Sequence, residues 1–353
     1  MSMLPSRAEM QRAYLQSDAT YDGVFVLGVQ TTGVFCRPSC GARKPQPKNV
    51  DFFATAREAV FAGYRPCKRC QPMAAAGEPP QWVRQLLSHI DRSPDQRITD
   101  TSIRSLGIDP ARARRYFKRN YGMTFQAYCR GRRLGSALAQ IRKGEKLDHV
   151  TLGHGYESHS GFRDAFARTF GTPPGKARTT DCLLVTWIES PLGPLIAGAT
   201  DKHLVLLEFT ERRMLEAQFV TVQKVFKRPI LPGDNTVLRK TREELSAYFK
   251  GTLRKFTVPF EYPGSEFQKR VWDGLLKIPY GKTISYEELA DRINAPHAQR
   301  AVGHANGVNR IAIVIPCHRV VNKGGKLGGY GGGLWRKQRL LELEQGEIRL
   351  QVQ

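Results

Sequence analysis

The 353-residue sequence predicts a multidomain protein of mixed α/β and all-α parts. Three observations lead there. The chain is too long for one small core. Two breaker-rich stretches, QPMAAAGEPPQ (Gln71 to Gln81) and GTPPGKARTTD (Gly171 to Asp181), read as linkers. They separate a cysteine-rich first part, a middle part of short helices and a longer C-terminal part. A hydrophobic content of 41% supports real cores and excludes wholesale disorder.

In the first part, GVFVLGVQTTGVFC alternates well enough for a hairpin. DFFATAREAVFAG reads as a helix ending at Gly63. Around these lie FCRPSC and PCKRC, giving Cys36-x3-Cys40 and Cys67-x2-Cys70. Short paired spacings let two turns deliver four thiolates to one tetrahedral zinc ion. A purely structural zinc site has the same spacing. The alternative follows from charge: four thiolates outweigh a divalent ion, so the sulfurs stay electron-rich and nucleophilic. Arg37, Arg43, Arg65, Lys68 and Arg69 surround them and suit a DNA backbone.

The middle part, ITDTSIRSLGIDPARARRYFKRNYGMTFQAYCRGRRL, has the layout of a helix-turn-helix with its turn at Gly107 to Pro110. Leu147 to Phe170 forms a second, with Gly155 at the turn and Phe162, Phe166 and Phe170 behind it. Arg112, Arg114, Arg115, Lys118 and Arg119 are dense enough to meet phosphates, although a basic run is also an ordinary solvated helix face.

In the C-terminal part, LLVTWIES and HLVLLEF read as strands of a small sheet. EFQKRVWDGLLKI places Phe267, Val271 and Leu275 on one helical face. SYEELADRI opens with Ser285 as N-cap and Glu288 three residues on, a capping box. RIAIVIP is expected as a buried strand. It runs into IVIPCHRVV, where Cys317 adjoins His318. A thiol attacks as thiolate and needs a proton acceptor. Neighbours in extended chain point to opposite sides, so either the chain turns sharply after Pro316 or a water carries the proton. A carboxylate should orient the imidazole. The bland reading is a core cysteine beside a surface histidine.

The formal charge of +23 favours a polyanion, nucleic acid or anionic membrane. No apolar stretch is long enough to span a bilayer, and Met1 to Gln30 lacks the apolar core of a signal peptide. The expected place is the cytosol and the expected polyanion is DNA. Seven cysteines without an export signal argue against a disulfide framework. Cys129 and Cys182 read as core fillers.

IPCHRVV, with YGKTISYEELA before it and GGYGGG after it, resembles the active-site region of the O6-alkylguanine-DNA alkyltransferases. FCRPSC with PCKRC resembles the zinc domain of the bacterial Ada family, and the middle resembles an AraC-type DNA-binding domain. The resemblance covers nearly the whole chain, in Ada domain order. It implies a small zinc-bound α+β domain (1–76), a helical AraC-type helix-turn-helix domain (82–172), an RNase H-like α/β subdomain (182–262) and a winged-helix-like alkyltransferase domain (263–350).

The resemblance also implies roles. Cys317 would accept the alkyl group from guanine O6, His318 would take its proton through a water, and Glu344 would orient the imidazole. Asn309 would brace the active-site loop, Arg300 would enter the base stack, Tyr286 would help turn the target phosphate and Tyr330 would line the pocket. Physical chemistry agrees, because O6 lies inside the duplex stack and the base must be extruded before a thiol reaches it. Cys36 would accept methyl from methylphosphotriesters, with Cys40, Cys67 and Cys70 as fellow zinc ligands. Thr32, Arg37, Arg43, Arg65, Lys68 and Arg69 would lie beside the DNA backbone.

The implied activity is irreversible methyl transfer from alkylated double-stranded DNA to these cysteines. Methylation of Cys36 lowers the repulsion of the zinc cluster for phosphate, raises DNA affinity and switches on damage-response genes. Implied partners are promoter DNA and RNA polymerase, with no membrane, and the implied state is a monomer in the bacterial cytosol. Two alternatives stand beside it: a repair-only alkyltransferase tethered by its helix-turn-helix, and a zinc-dependent transcription factor without alkyl transfer. Three departures bear on the choice. Thr99 and Ser102 stand where apolar residues normally pack the first helix, so either the register is slipped or that unit is poorly formed. Gly153 and His154 are weak helix formers in the second unit. The run Gly331-Gly332-Gly333 implies a wider or more mobile pocket edge.

Overall fold

The computed structural model describes residues 4–73, 80–92, 96–212 and 214–350. Residues 74–79 of the expected linker Gln71 to Gln81 lie outside the described residues. The chain begins with α1 (Arg7–Leu15), capped by Ser6. The expected hairpin forms: β1 (Val26–Val29) pairs antiparallel with β2 (Val34–Cys36). The segment read as one helix divides instead. Its start is β3 (Val50–Phe53), paired with β1, and only α2 (Ala56–Phe61) is helical. Thr55 causes the change, because its side chain accepts the Glu58 amide and caps the helix there. Gly63, at φ +88°, closes the turn behind α2. β4 (Arg65–Pro66) then adds parallel to β2, giving the order β3-β1-β2-β4.

The middle part is helical, as the sequence predicts: α3 (Gln81–Arg92), α4 (Asp100–Ser105), α5 (Pro110–Tyr121), α6 (Phe125–Arg142), α7 (Leu147–Gly153) and α8 (His159–Phe170). The first helix-turn-helix is well formed. Thr99 and Ser102 are not misplaced core residues; they make a reciprocal capping box at the start of α4. The core positions are Ile98 and Ile103, and Gly107 turns the chain at φ +73°. In the second unit Phe162, Phe166 and Phe170 are buried as expected. His154 is buried at the end of α7, with Nε2 3.0 Å from Gln140 Oε1.

The C-terminal part opens with a second sheet of order β7-β6-β5-β8. Its strands are β5 (Leu183–Ile188), β6 (Leu195–Ala199), β7 (Leu204–Phe209) and β8 (Ile230–Pro232). The expected strands are β5 and β7. β6, to which no element was assigned from the sequence, lies between them. Helices α9 (Leu215–Phe226) and α10 (Thr236–Phe249) follow. Next come α11 (Glu266–Leu276), β9 (Ile284–Ser285), α12 (Tyr286–Arg292) and α13 (Gln299–Gly307). β10 (Val320–Val321) pairs parallel with β9, and α14 (Leu334–Gln345) closes the fold. On α11, Val271 and Leu275 are fully buried and Phe267 packs half-buried against them. Ser285 and Glu288 form the expected capping box.

RIAIVIP is not a strand. Ile311 makes one isolated bridge to Leu207, and residues 312–314 turn, with Val314 N bonded to Ala312 O at 2.8 Å and Ile315 N to Ile311 O at 2.9 Å. Ile313 sits at φ +72°, a costly region for a β-branched residue. Burial on all sides, rather than sheet pairing, explains why every residue from Ile311 to Ile315 is apolar.

The parts share cores. Helix-turn-helix residues such as Phe117 and Phe125 pack with Val185, Ile196, Leu206 and Phe219 of the C-terminal part. Met10, Ala13, Tyr21 and Phe25 of the first part pack against Trp335. Among the described residues, no helix is long and apolar enough to cross a membrane.

Candidate functional site

Two sulfur centres stand out. In the first, the end of β2 delivers Cys36 and the turn after it Cys40, while the segment after β4 delivers Cys67 and Cys70. The parallel pairing of β2 with β4, continued by Cys67 N to Phe35 O at 3.0 Å, places the two turns side by side. The four Sγ atoms lie within 4.8 Å of one another. A tetrahedral zinc with sulfur ligands requires sulfurs about 3.8 Å apart, so a slight contraction fits the ion. Cys36 and Cys40 are buried, and Cys67 and Cys70 are partly exposed. The Arg37 amide donates to Cys70 Sγ at 3.3 Å. Thr32, Arg43, Arg65, Lys68 and Arg69 are exposed around this centre, and Arg37 is half-buried, donating to Gln71 O at 3.1 Å. Arg69 donates to Gly41 O at 3.0 Å, tying the two cysteine turns together.

The second centre lies under a cleft of about 580 Å³ lined by Tyr286, Arg300, Asn306, Cys317, Tyr330 and Gly331, among others. Pro316 ends the buried turn, and Cys317–Arg319 coil into a single 3-10 turn. The chain does turn sharply after Pro316, one of the two alternatives the Cys-His adjacency left open. Cys317 is 7% exposed, and burial pushes its thiol up. The Asn309 amide opposes that, donating to Sγ at 3.2 Å and to Ile315 O at 2.9 Å. Asn309 Oδ1 accepts the Ile311 amide at 3.0 Å, so the side chain is held at both ends.

His318 is fully buried, and burial holds its pKa below the usual value although Glu344 pulls the other way. Its Nε2 lies 2.8 Å from Glu344 Oε1. Burial works against ionisation of Glu344, but the contacts from His318 and Arg319 outweigh it and hold the carboxyl well below the usual range. An ionised carboxylate only accepts, so the proton of neutral His318 belongs on Nε2. That leaves Nδ1 as acceptor, and Nδ1 is buried with no hydrogen-bond partner among the described residues. No direct bond joins it to Cys317.

Sequence reasoning missed the rest of this centre. Arg319 grips Glu344 with Nε at 2.8 Å and Nη2 at 3.0 Å. The Tyr248 hydroxyl and the Gly281 amide also donate to Glu344, at 2.7 and 3.1 Å. Arg319 had a signal: a cation inside the apolar run IPCHRVV needs a buried partner. Tyr248 had none, being 96 residues from Glu344. Tyr286 and Tyr330 line the cleft, with the Tyr286 hydroxyl 3.4 Å from Gly329 O, and Arg300 is exposed at the start of α13.

The glycine run is tightly packed. A Cβ at Gly331 would lie 2.6 Å from the Arg212 guanidinium carbon, one at Gly332 2.8 Å from both Phe209 and Tyr330, and one at Gly333 2.5 Å from Thr20. Close approach, not looseness, accounts for the three glycines.

Four family models match the chain in order. They are the metal binding domain of Ada at residues 9–73, a helix-turn-helix domain at 103–180, and the ribonuclease-like and DNA binding domains of 6-O-methylguanine DNA methyltransferase at 183–262 and 266–346. The bifunctional transcriptional activator/DNA repair enzyme Ada of Escherichia coli is 34% identical, over 94% of this chain and 95% of its own. A methylated-DNA–protein-cysteine methyltransferase of Mycobacterium bovis is 48% identical, over 45% of this chain and 90% of its own. A crystal structure of Mycobacterium tuberculosis OGT in complex with DNA shares 43% identity and a TM-score of 0.41, over 47% of this chain and 95% of that one.

Proposed function

The chain belongs to the Ada family, and on that premise we propose that it is a single-turnover DNA methyltransferase and methylation-sensing regulator with two acceptor cysteines. Cys317 takes the alkyl group from O6-methylguanine and Cys36 takes methyl from a methylphosphotriester. Four units divide the work: residues 1–76 for the phosphotriester, 82–172 for promoter DNA, and 182–262 with 263–350 for the guanine lesion.

At the guanine site, the Cys317 proton passes through a water to His318 Nδ1, and Glu344 stabilises the imidazolium that forms. Sulfur attacks the alkyl carbon; the S–C bond forms as the C–O6 bond breaks. Asn309 supports the thiolate by its 3.2 Å contact. Charge develops on the leaving guanine, and the Tyr286 hydroxyl, on the cleft wall, meets it with a hydrogen bond. Arg300, at the mouth, fills the space vacated by the extruded nucleotide, and Tyr330 packs beside the base.

At the other site, Cys36, Cys40, Cys67 and Cys70 hold one zinc, which keeps the sulfurs ionised at neutral pH. A methylphosphotriester is neutral, so an anionic cluster accepts it more readily than an ordinary phosphate. Thr32, Arg37, Arg43, Arg65, Lys68 and Arg69 hold the flanking backbone. Methylation of Cys36 removes one negative charge and raises duplex affinity, which turns a damage record into promoter binding through α5 and α8. The protein works as a monomer in the bacterial cytoplasm, with RNA polymerase as its partner at the promoter.

The observation that carries this reading is the Cys317, Asn309, His318 and Glu344 geometry, which DNA binding alone does not require. Incubation of the zinc-loaded chain with O6-methylguanine duplex should add one methyl mass to the peptide containing Cys317. Transfer that survives in Cys317→Ala would overturn the assignment.

A further inference from the structure

Asn309 lies two residues past the end of α13 and reaches the Cys317 sulfur at 3.2 Å, and a group from the other subdomain holds the backbone there. Arg212 lies just beyond β7 and is buried. Its Nη1 donates to Asn309 O at 3.0 Å and its Nη2 to Gly307 O. Gln218 Nε2 adds a contact to Asn309 O at 3.4 Å. The same guanidinium also packs on Gly331, where a Cβ would lie 2.6 Å from its central carbon and would force it to shift. Arg212 thus touches both walls of the alkyl cleft, the 307–309 turn and the glycine loop. Glu208, fully buried on β7, pairs with it and also accepts the Phe209 amide at 3.1 Å.

We propose that Arg212, with Glu208 as its counter-charge, is a positioning residue for alkyl transfer: it clamps the 307–309 turn and so sets the Asn309 amide on the Cys317 sulfur. The inference rests on Cys317 being the acceptor. A guanidinium suits the task because its rigid planar fork spreads donors over separate nitrogens towards two carbonyls and a carboxylate, whereas an ammonium is a single compact point on a flexible stem. A buried ion pair is weak evidence for stability as such, since apolar replacements of similar volume are often neutral. The charges also reach the sulfur. Burial raises the Cys317 thiol and Glu208 adds to that, whereas Asn309, Arg212 and Lys337 lower it. Tyr286 and Tyr330 line the same cleft as the sulfur, and His318 adjoins it in sequence.

The test uses the full zinc-loaded chain, O6-methylguanine duplex and single-turnover rates across pH. Wild-type transfer to Cys317 in this assay checks the premise separately. Arg212→Met should slow transfer roughly 10- to 100-fold, leave duplex affinity unchanged, and move the midpoint of the rate's rise with pH upward. Glu208→Gln should move that midpoint downward. Arg212→Lys should restore the midpoint but not the full rate. The apolar pair Glu208→Leu with Arg212→Met keeps the fold without the charges and should still transfer slowly. A folded double variant with the wild-type rate, or two single variants whose midpoints shift together or not at all, overturns the proposal in favour of a purely structural pair.

Discussion

Glu344 accepts from His318, Arg319, Tyr248 and the Gly281 amide, so one carboxylate fixes the imidazole and ties α14 to the loop before β9. Glu344→Gln should therefore slow O6 transfer and destabilise the C-terminal part by about 3 kcal/mol, because it leaves the Arg319 charge buried and unpaired. Denaturant unfolding with fluorescence of the tryptophans checks the second figure. The pH dependence has a definite sign. The Glu344 pKa is lower folded than its ordinary 4.5, so its stabilisation is complete above that value and is lost as pH falls through it towards the folded value. Thermal midpoints should drop along that acid limb, and Glu344→Gln should flatten the slope. An unchanged slope in the variant would assign the acid lability elsewhere. At this scale the sequence was legible where chemistry is local. The cysteine quartet and the Cys317–His318 pair lie within short motifs, whereas Arg212 is 97 residues from the carbonyl of Asn309 that it serves. Its partners there are backbone atoms, which carry no side-chain identity and leave no pattern to read.

Among the elements, α4 shows how a polar residue misleads when its position is read only as core. Thr99 and Ser102 cap the helix, and Ile103 fills the interior. Thr99→Ala should cost about 1 kcal/mol, measured as a shift in the denaturant midpoint at unchanged slope. Helix α5 presents Arg114, Arg115 and Lys118 to solvent in loose surface pairs, with Asp100 at 3.6 Å, Asp109 at 4.0 Å and Glu216 of α9 at 3.0 Å. Arg115→Ala should weaken duplex binding across sequences and reduce the salt slope by about 1; a slope equal to wild type would place that face away from phosphate. Amphipathic helices and capping boxes were readable because their periods and spacings are local. The turn at Ile311 to Ile315 was not, since an apolar run looks the same whether it is buried by sheet pairing or by enclosure. β6 was missed because LIAGA is small and buried on both faces, so it shows no alternation.

Across the whole molecule, the zinc domain and the alkyltransferase share Trp335, and the helix-turn-helix shares a core with the second sheet. Order along the chain revealed the parts; which faces they bury together was settled by tertiary packing that no single motif encodes. The two sulfur centres nevertheless rest on separate elements. Zinc removal by a chelator should unfold the first part and abolish transfer to Cys36 while leaving transfer to Cys317, read by mass on each peptide. A positive charge of +23 also predicts strong salt dependence of duplex binding, with the Cys36-methylated chain the tighter binder at every salt concentration. The most direct measurement is the intact mass of the zinc-loaded chain after exposure to duplex carrying both O6-methylguanine and a methylphosphotriester. The expected result is a gain of two methyl groups, one on Cys317 and one on Cys36. A folded, zinc-loaded chain whose mass does not change, or whose methyl groups sit on other cysteines, would contradict it.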